Sequence, residues 1–372
     1  MKLRKHFKKR VKKVKKLLPD VVTEKAASFS PLPRPPEPIS LKDVPHITSE
    51  TITEHREEVL SGARKYIYPL AHSKHRILVI SSGIAAVTII TFLVYCGLAL
   101  YKFYQYNTFL YRVTQVIPFP IARAGDAYVN YENYLFELRH YIHYYQTQQQ
   151  RLFGGQQQIN QFRKQALQNV INNGYVKTLA KKNGVKVSDR EVDARINEVR
   201  QQNRLGSNNK VFADVLRDYW GWSIADFRRS LKDQMLAERV VAKLDVGAQA
   251  KAQSVLAQSN AGADFGSLAA QNSDDPSKAS NGDWGFGITK TNPNVSPEVI
   301  NELFKLKAGQ VSGIILASRV DINKPDTLEI VKVIGSDGTT VTAQHISFNL
   351  KDISFYIKDL QAKEPSKTYV RF

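Results

Sequence analysis

The chain reads Ala261-Gly-Ala-Asp-Phe265, then Leu268-Ala-Ala, then Asn272-Ser-Asp-Asp-Pro276, then Asn281-Gly-Asp-Trp-Gly-Phe286, with Phe304-Lys-Leu-Lys-Ala-Gly-Gln-Val-Ser312 downstream. Gly, Asp, Ser and Asn crowd residues 272–296, a composition of loops rather than regular elements. A helix from Ala248 to about Asn260 leads into these loops, and a short one at about 297–305 leaves them. Three β-like runs follow, at 311–317, 327–334 and 340–348. Helices beside a small, antiparallel sheet make this part α/β and the whole chain α+β.

Upstream the pattern is strongly helical. Aromatic residues fill 126–145, and a Gln-rich stretch, 146–158, joins them to a helix running to about Asn183. Gly184 stops that helix. Ser188 opens the next, with Glu191 three residues on completing a capping box. Further helices cover 210–219 and 224–244. Ser223 caps the latter, and Ile224, Phe227, Leu231 and Met235 line one of its sides. An all-α module therefore precedes the α/β one.

Further toward the N-terminus stands ILVISSGIAAVTIITFLVYCGLALY, residues 77–101, which carries no charge. A bilayer core needs only ~20 such residues. The stretch is too long, and begins too far into the chain, for a cleavable signal peptide. Tyr95, Tyr101, Phe103, Tyr104 and Tyr106 crowd its end as an interfacial belt would. Arg64, Lys65, Lys74 and Arg76 precede it, while only Lys102 and Arg112 follow closely. The positive-inside rule puts 1–76 in the cytoplasm and 102–372 outside a cell membrane crossed once.

The net charge of +19 is concentrated before the span, where 18 Lys/Arg face 8 Asp/Glu in residues 1–76. Ten of the fifteen residues from Lys2 to Lys16 are basic, and Leu3, Phe7, Val11, Val14 and Leu18 fall on one helical face. Such a helix suits anionic lipid headgroups. A solvated topology signal explains the run equally well, and nucleic-acid binding ranks below both, so no nucleic-acid partner is expected. Pro31, Pro33, Pro35, Pro36, Pro38 and Pro45 make the next stretch an extended linker, with PLPRPP as a weak SH3-type motif. A helix from about Thr48 to Leu70, with Val59, Leu60, Ala63 and Ile67 on one face, leads into the span. Cys96 is the only cysteine, which excludes an intrachain disulfide and a thiolate zinc site.

The blocks quoted first, in that order and spacing, closely resemble the parvulin (PpiC-type) peptidyl-prolyl isomerase domain over about 248–335. Leu179-Ala-Lys-Lys-Asn-Gly184, Val187-Ser-Asp-Arg-Glu-Val-Asp193 and residues 227–243 resemble the N-terminal chaperone module of SurA/PrsA-type foldases, over about 107–246. Taken with the apolar span and the charge run before it, the resemblance divides the chain into a basic, largely disordered cytoplasmic tail (1–76), a transmembrane helix (77–101), a SurA-N-like chaperone module (107–246), a parvulin-like domain (247–350) and a C-terminal tail (351–372). It also implies a membrane-anchored foldase acting on unfolded or newly exported polypeptides with X–Pro bonds, needing no metal and no cofactor. The alternative is a chaperone or scaffold that keeps the parvulin fold without its catalysis.

Carried over residue by residue, the resemblance places the family's Cys-or-Asp at Asp275 and its second His at Glu329. Its pocket Met and Phe fall on Val295 and Val299, which offer a proline ring less contact. Phe304 and Trp284 complete the implied substrate-binding set, although Trp284 and Phe286 also suit a purely structural role in the loop. The family's first His sits on a strand before the domain's first helix, and 239–244 contains none. Val341-Thr-Ala-Gln-His-Ile-Ser-Phe348 resembles that strand, with His345 in place, yet it comes last. A tight turn at Gly335-Ser-Asp-Gly338 would lay it antiparallel beside 327–334, with His345 next to Glu329. Two readings stay open: a circularly permuted sheet, or the start of a truncated second copy. Elsewhere, His140 and His143 sit three apart on a helix, and Tyr219, Trp220 and Trp222 cluster. Packing between helices accounts for both groups at least as well as a metal or peptide site.

Overall fold

The computed structural model describes residues 48–67, 69–148, 155–206, 208–321 and 323–372. The basic run from Lys2 to Lys16, the proline-rich linker and part of the Gln-rich stretch lie outside the described residues. The chain divides into two units, 1–88 and 89–372. In the first, α1 (Ser49–Ile67) is followed by the start of α2 (Pro69–Tyr101). Within α2, His75–Tyr101 is long and apolar enough to cross a membrane, by length and composition.

The second unit begins with the end of α2 and continues through α3 (Thr108–Val116). A hairpin follows, β1 (Pro120–Ala124) and β2 (Ala127–Asn130), which hydrophobic periodicity does not announce. The aromatic stretch is therefore helical only from Tyr131, in α4 (Tyr131–Gln148). Helices α5 (Gly155–Lys182), α6 (Asp189–Gln202), α7 (Asn209–Trp220) and α8 (Ile224–Leu244) complete the helical part. Ser188 and Ser223 both form reciprocal capping boxes, with Glu191 and Asp226. Each satisfies backbone donors that the first helical turn leaves free.

Two apolar clusters hold these helices. One joins Leu135, Leu138, Val170 and Tyr175 to residues from α2, β1 and the chain's C-terminus. The other packs Val192, Ile196, Phe212, Leu216, Leu231 and Met235 between α6, α7 and α8. Residues 351–372, expected as a tail, are instead structural. They form α12 (Ile353–Lys363) and β7 (Lys367–Thr368), and β7 pairs antiparallel with β1. Ile357, Leu360 and Val370 enter the first cluster, because an apolar face at helical spacing must bury itself somewhere.

The remaining part is built on a four-stranded sheet in the order β3-β6-β5-β4, every neighbouring pair antiparallel. Its strands are β3 (Ile288–Thr289), β4 (Ile315–Ala317), β5 (Thr327–Ser336) and β6 (Thr340–Asn349). Strand 340–349 thus completes the same sheet as 327–336. Gly338, at φ +88°, turns the chain between them, and Asp337 Oδ1 accepts from the Thr339 and Thr340 amides. Helices α9 (Val246–Asn260) and α10 (Phe265–Asn272) cover one face, over Leu328, Ile330, Ile346 and Phe348. Helix α11 (Pro297–Leu303) covers the other, over Val331, Val333, Val341 and Ala343.

Candidate active site

Side chains alternate across a strand, so Val341, Ala343, His345 and Ser347 share one face of β6. His345 pairs with Val331 and Ser347 with Glu329, which makes Glu329 the diagonal neighbour of His345 on that face. The two side chains meet: His345 Nδ1 lies 3.3 Å from Glu329 Oε2. On the other side of the ring, His345 Nε2 is 2.8 Å from Ser277 Oγ and 3.4 Å from Asp275 Oδ1.

Asp275 is brought there by a loop zipped onto β6 along the stretch that β3, paired only at Thr340 and Val341, leaves uncovered. The Asp274 amide donates to the Ser347 carbonyl at 2.8 Å, and the Ser347 amide donates to Ser273 Oγ at 3.0 Å. Asp275 itself caps a 3₁₀ turn, Pro276–Ser280, by accepting from the Ser277 amide at 2.8 Å. Further along the loop, the His345 amide donates to the Gly282 carbonyl at 2.8 Å. Gly282 has φ +79°, and a Cβ there would lie 2.4 Å from the His345 carbonyl oxygen. Only glycine allows that approach. The Trp284 ring then lies flat on the imidazole, with centroids 4.0 Å apart and planes 14° apart.

His345 is 3 % exposed. Burial alone would depress its pKa, but hydrogen bonds and charge from Asp275 and Glu329 outweigh that and raise it to about 9. At neutral pH the ring is an imidazolium that donates from both nitrogens, toward Glu329 on one side and toward Ser277 and Asp275 on the other. A flat aromatic face over the cation favours the same state. The hydrogen bond to His345, with those from Ser277, holds the Asp275 carboxyl well below the usual carboxylate range, against its partial burial. The trio carries one net negative charge.

A cavity of about 270 Å³ opens beside it, walled by Trp284, Val295, Val320 and Pro325 along with Asp275, Glu329 and His345. Five of the seven residues named from the sequence therefore meet at one cavity. The other two do not. Val299 is completely buried on the inner face of α11, in the core with Val331. Phe304 lines a separate concavity with Gln201 and Arg204, where Lys290 Nζ sits 5.3 Å from its ring. Ser277, Gly282 and the wall at Val320 and Pro325 escape sequence reasoning. Only Ser277 left a signal there, as the residue an Asp cap in Asp-Pro-Ser would engage.

The start of this wall, at Ser318, is anchored to the helical part. Ser318 Oγ lies 2.9 Å from Glu238 Oε2 of α8 and 3.0 Å from Glu298 Oε1 of α11. Arg195 of α6 pairs with Glu298 and hydrogen-bonds Ser318 Oγ at 3.1 Å. By contrast, His140 and His143 lie within 3.3 Å of the Trp220 and Asp218 carbonyls, and His140 and Phe136 stack on Trp222. Those groups join α4 to α7. Among the described residues, no three His, Cys, Asp or Glu side chains converge to hold a metal.

Comparison with known proteins gives two family matches. A SurA-like N-terminal domain matches residues 73–241, and a PPIC-type PPIase domain matches residues 236–335. The strand that carries His345 lies beyond the second match. No curated protein matches the chain. Among solved structures, the foldase protein PrsA from Streptococcus pneumoniae str. Canada MDR_19A is 20 % identical, over 53 % of this chain and 76 % of that one, with a TM-score of 0.18.

Proposed function

We propose, since this chain joins a SurA-like N-terminal domain to a PPIC-type PPIase domain, that it is a membrane-anchored foldase that binds unfolded or newly exported polypeptides and isomerises their X–Pro bonds. The observation that carries this reading is the placement of His345 between Asp275 and Glu329 at the wall of a cavity with apolar sides. The apolar helix supports the anchor, and the excess of cations before it supports an extracytoplasmic location for the folded part.

Isomerisation forms and breaks no bond permanently. Its barrier, about 18–20 kcal/mol, is the amide resonance lost as the peptide twists. Catalysis therefore means binding the twisted imide more tightly than the planar one. Val295, Val320, Pro325 and the edge of Trp284 grip the proline ring and strip water from the preceding carbonyl. Resonance places negative charge on that carbonyl oxygen, and the negative Asp275–His345–Glu329 group beside it disfavours the planar form more than the twisted one. His345 serves by fixing the Asp275 carboxylate in place, and Glu329 by keeping His345 charged. Asp275, Val295, Trp284, Val320 and Pro325 are the groups that meet the substrate.

A second reading, a chaperone that retains this fold with weak catalysis, is favoured by one feature. Val299 and Phe304 stand away from the cavity, which leaves its apolar grip thin. A proline-peptide isomerisation assay on the full chain in detergent separates the two. The foldase reading expects acceleration over the uncatalysed exchange, falling at least tenfold in Asp275→Ala. Equal rates with and without protein, alongside retained suppression of client aggregation, leave the chaperone alone.

A further inference from the structure

Helix α2 does not simply hand over to the folded unit; its last turn belongs to that unit's core. Cys96, Ala99 and Leu100 are at most 2 % exposed. Tyr131 Oη donates to the Leu100 carbonyl at 2.6 Å, and Tyr101 Oη donates to the Pro120 carbonyl at 2.5 Å. Of the five aromatic residues near this end, Tyr101, Tyr104 and Tyr106 pack on the core. Only Tyr95 and Phe103 face outward, at 50 % and 61 % exposure. Three of the five residues of an interfacial belt are thus turned inward.

Helix α3 supplies what those residues withdraw. The Phe109 ring meets Phe92 of α2 edge-on, with centroids 6.4 Å apart. Leu110 and Thr114 are buried, while Phe109, Arg112 and Val116 share the opposite face at helical spacing. Phe109 is 54 % exposed and Val116 83 %. Phe92 stands nine residues before Tyr101, about 13 Å along the axis at 1.5 Å per residue. A span of ~20 residues counted from Ile77 ends near Tyr95, so Phe92, and Phe109 against it, come at the edge of the hydrocarbon. Exposed Arg112 within this face, and exposed Lys102 at the end of α2, are placed to reach anionic headgroups from an apolar bed.

We propose that α3 is an interfacial helix: its Phe109–Arg112–Val116 face, with Phe103, rests in the headgroup region of the bilayer that α2 spans. The folded unit then lies on the membrane instead of hanging from it by a flexible stalk. This rests on the membrane-anchor reading, and the test distinguishes the two. The full chain carrying Cys96→Ala is reconstituted in vesicles of phosphatidylcholine and phosphatidylglycerol, with a nitroxide at Ile84→Cys, Phe109→Cys, Val116→Cys or Val246→Cys in turn. Collisions with oxygen, which partitions into lipid, are compared with collisions with a water-soluble nickel chelate.

Labels at 84, 109 and 116 are expected to favour oxygen, and the label at 246, which is 69 % exposed on α9, the chelate. A lipid signal at 84 with water signals at 109 and 116 overturns the proposal and leaves the anchor standing. A water signal at 84 removes the anchor and the proposal together. Should the labelled variants misfold, photolysis of a diazirine-bearing phosphatidylcholine in vesicles holding the unmodified chain is expected to label the peptide 108–116. Absence of label there, with label on 77–95, counts against the proposal.

Discussion

At the residue scale, the decisive group is His345. Its folded pKa, about 9, lies above the ordinary imidazole value of 6.5. Its contribution to stability is therefore complete below about 6.5 and is lost as pH rises through about 9. Asp275 runs the other way. Held below its ordinary 3.8, it contributes fully above about 4 and loses that contribution as pH falls further. Thermal melts of the wild type are expected to lose stability between pH 7 and pH 9, and those of His345→Gln to lose much less over that range. A proton NMR titration that gives His345 an ordinary value near 6.5 contradicts the charged ring. The role of Glu329 predicts that Glu329→Gln lowers the His345 value and weakens isomerisation at pH 8 more than at pH 6, measured with one peptide at both.

At the scale of elements, the loop 273–286 and strand β6 act as one device. Gly282→Ala forces a Cβ onto the His345 carbonyl and onto Ala269 at a positive φ. A loss of about 1–3 kcal/mol in denaturant unfolding is expected, with activity falling further because Asp275 and Trp284 move with the loop. Ser223→Ala, which removes a capping box remote from the site, is expected to cost about 1 kcal/mol and leave the isomerisation rate of the folded protein unchanged.

The same elements mark what the sequence could and could not convey. Helix 224–244 is legible because the Ser223 cap and the apolar stripe of Ile224, Phe227, Leu231 and Met235 agree. Strand 340–349 is legible because period-two apolar residues follow a Gly-containing turn, and the antiparallel pairing then puts His345 beside Glu329. The β1–β2 hairpin is not legible. Its strands are short, and β1 finds its second partner in β7, more than two hundred residues away. The fates of Val299 and Phe304 are likewise set by how α11 packs between the sheet and α6, which local pattern does not encode.

At the scale of the molecule, the second unit, 89–372, is closed by its own C-terminal residues. Its last residues return to the helical module, where Phe372 stacks on Tyr134 and Tyr175 Oη donates to the Glu364 carbonyl at 2.6 Å. Leu360→Ala is therefore expected to destabilise the helical module by about 2–5 kcal/mol, visible as a lower denaturant midpoint. The cluster of Arg195, Glu238, Glu298 and Ser318 joins that module to the wall of the cavity. Removing Arg195 leaves carboxylates buried without their counter-charge, at a cost of about 3 kcal/mol. Arg195→Ala is expected to raise KM for proline peptides through a loosened wall, even where the protein remains folded.

The proposed foldase activity assigns faster proline isomerisation to the trio at the cavity and holding of the client to the helical module. It is tested most directly by refolding a client whose slow phase, tens to hundreds of seconds long, is limited by one X–Pro bond, with the full chain reconstituted in vesicles. The wild type is expected to shorten that phase, and His345→Ala to leave it unshortened while still preventing aggregation. Equal acceleration by wild type and His345→Ala, with the variant folded, would contradict the claim.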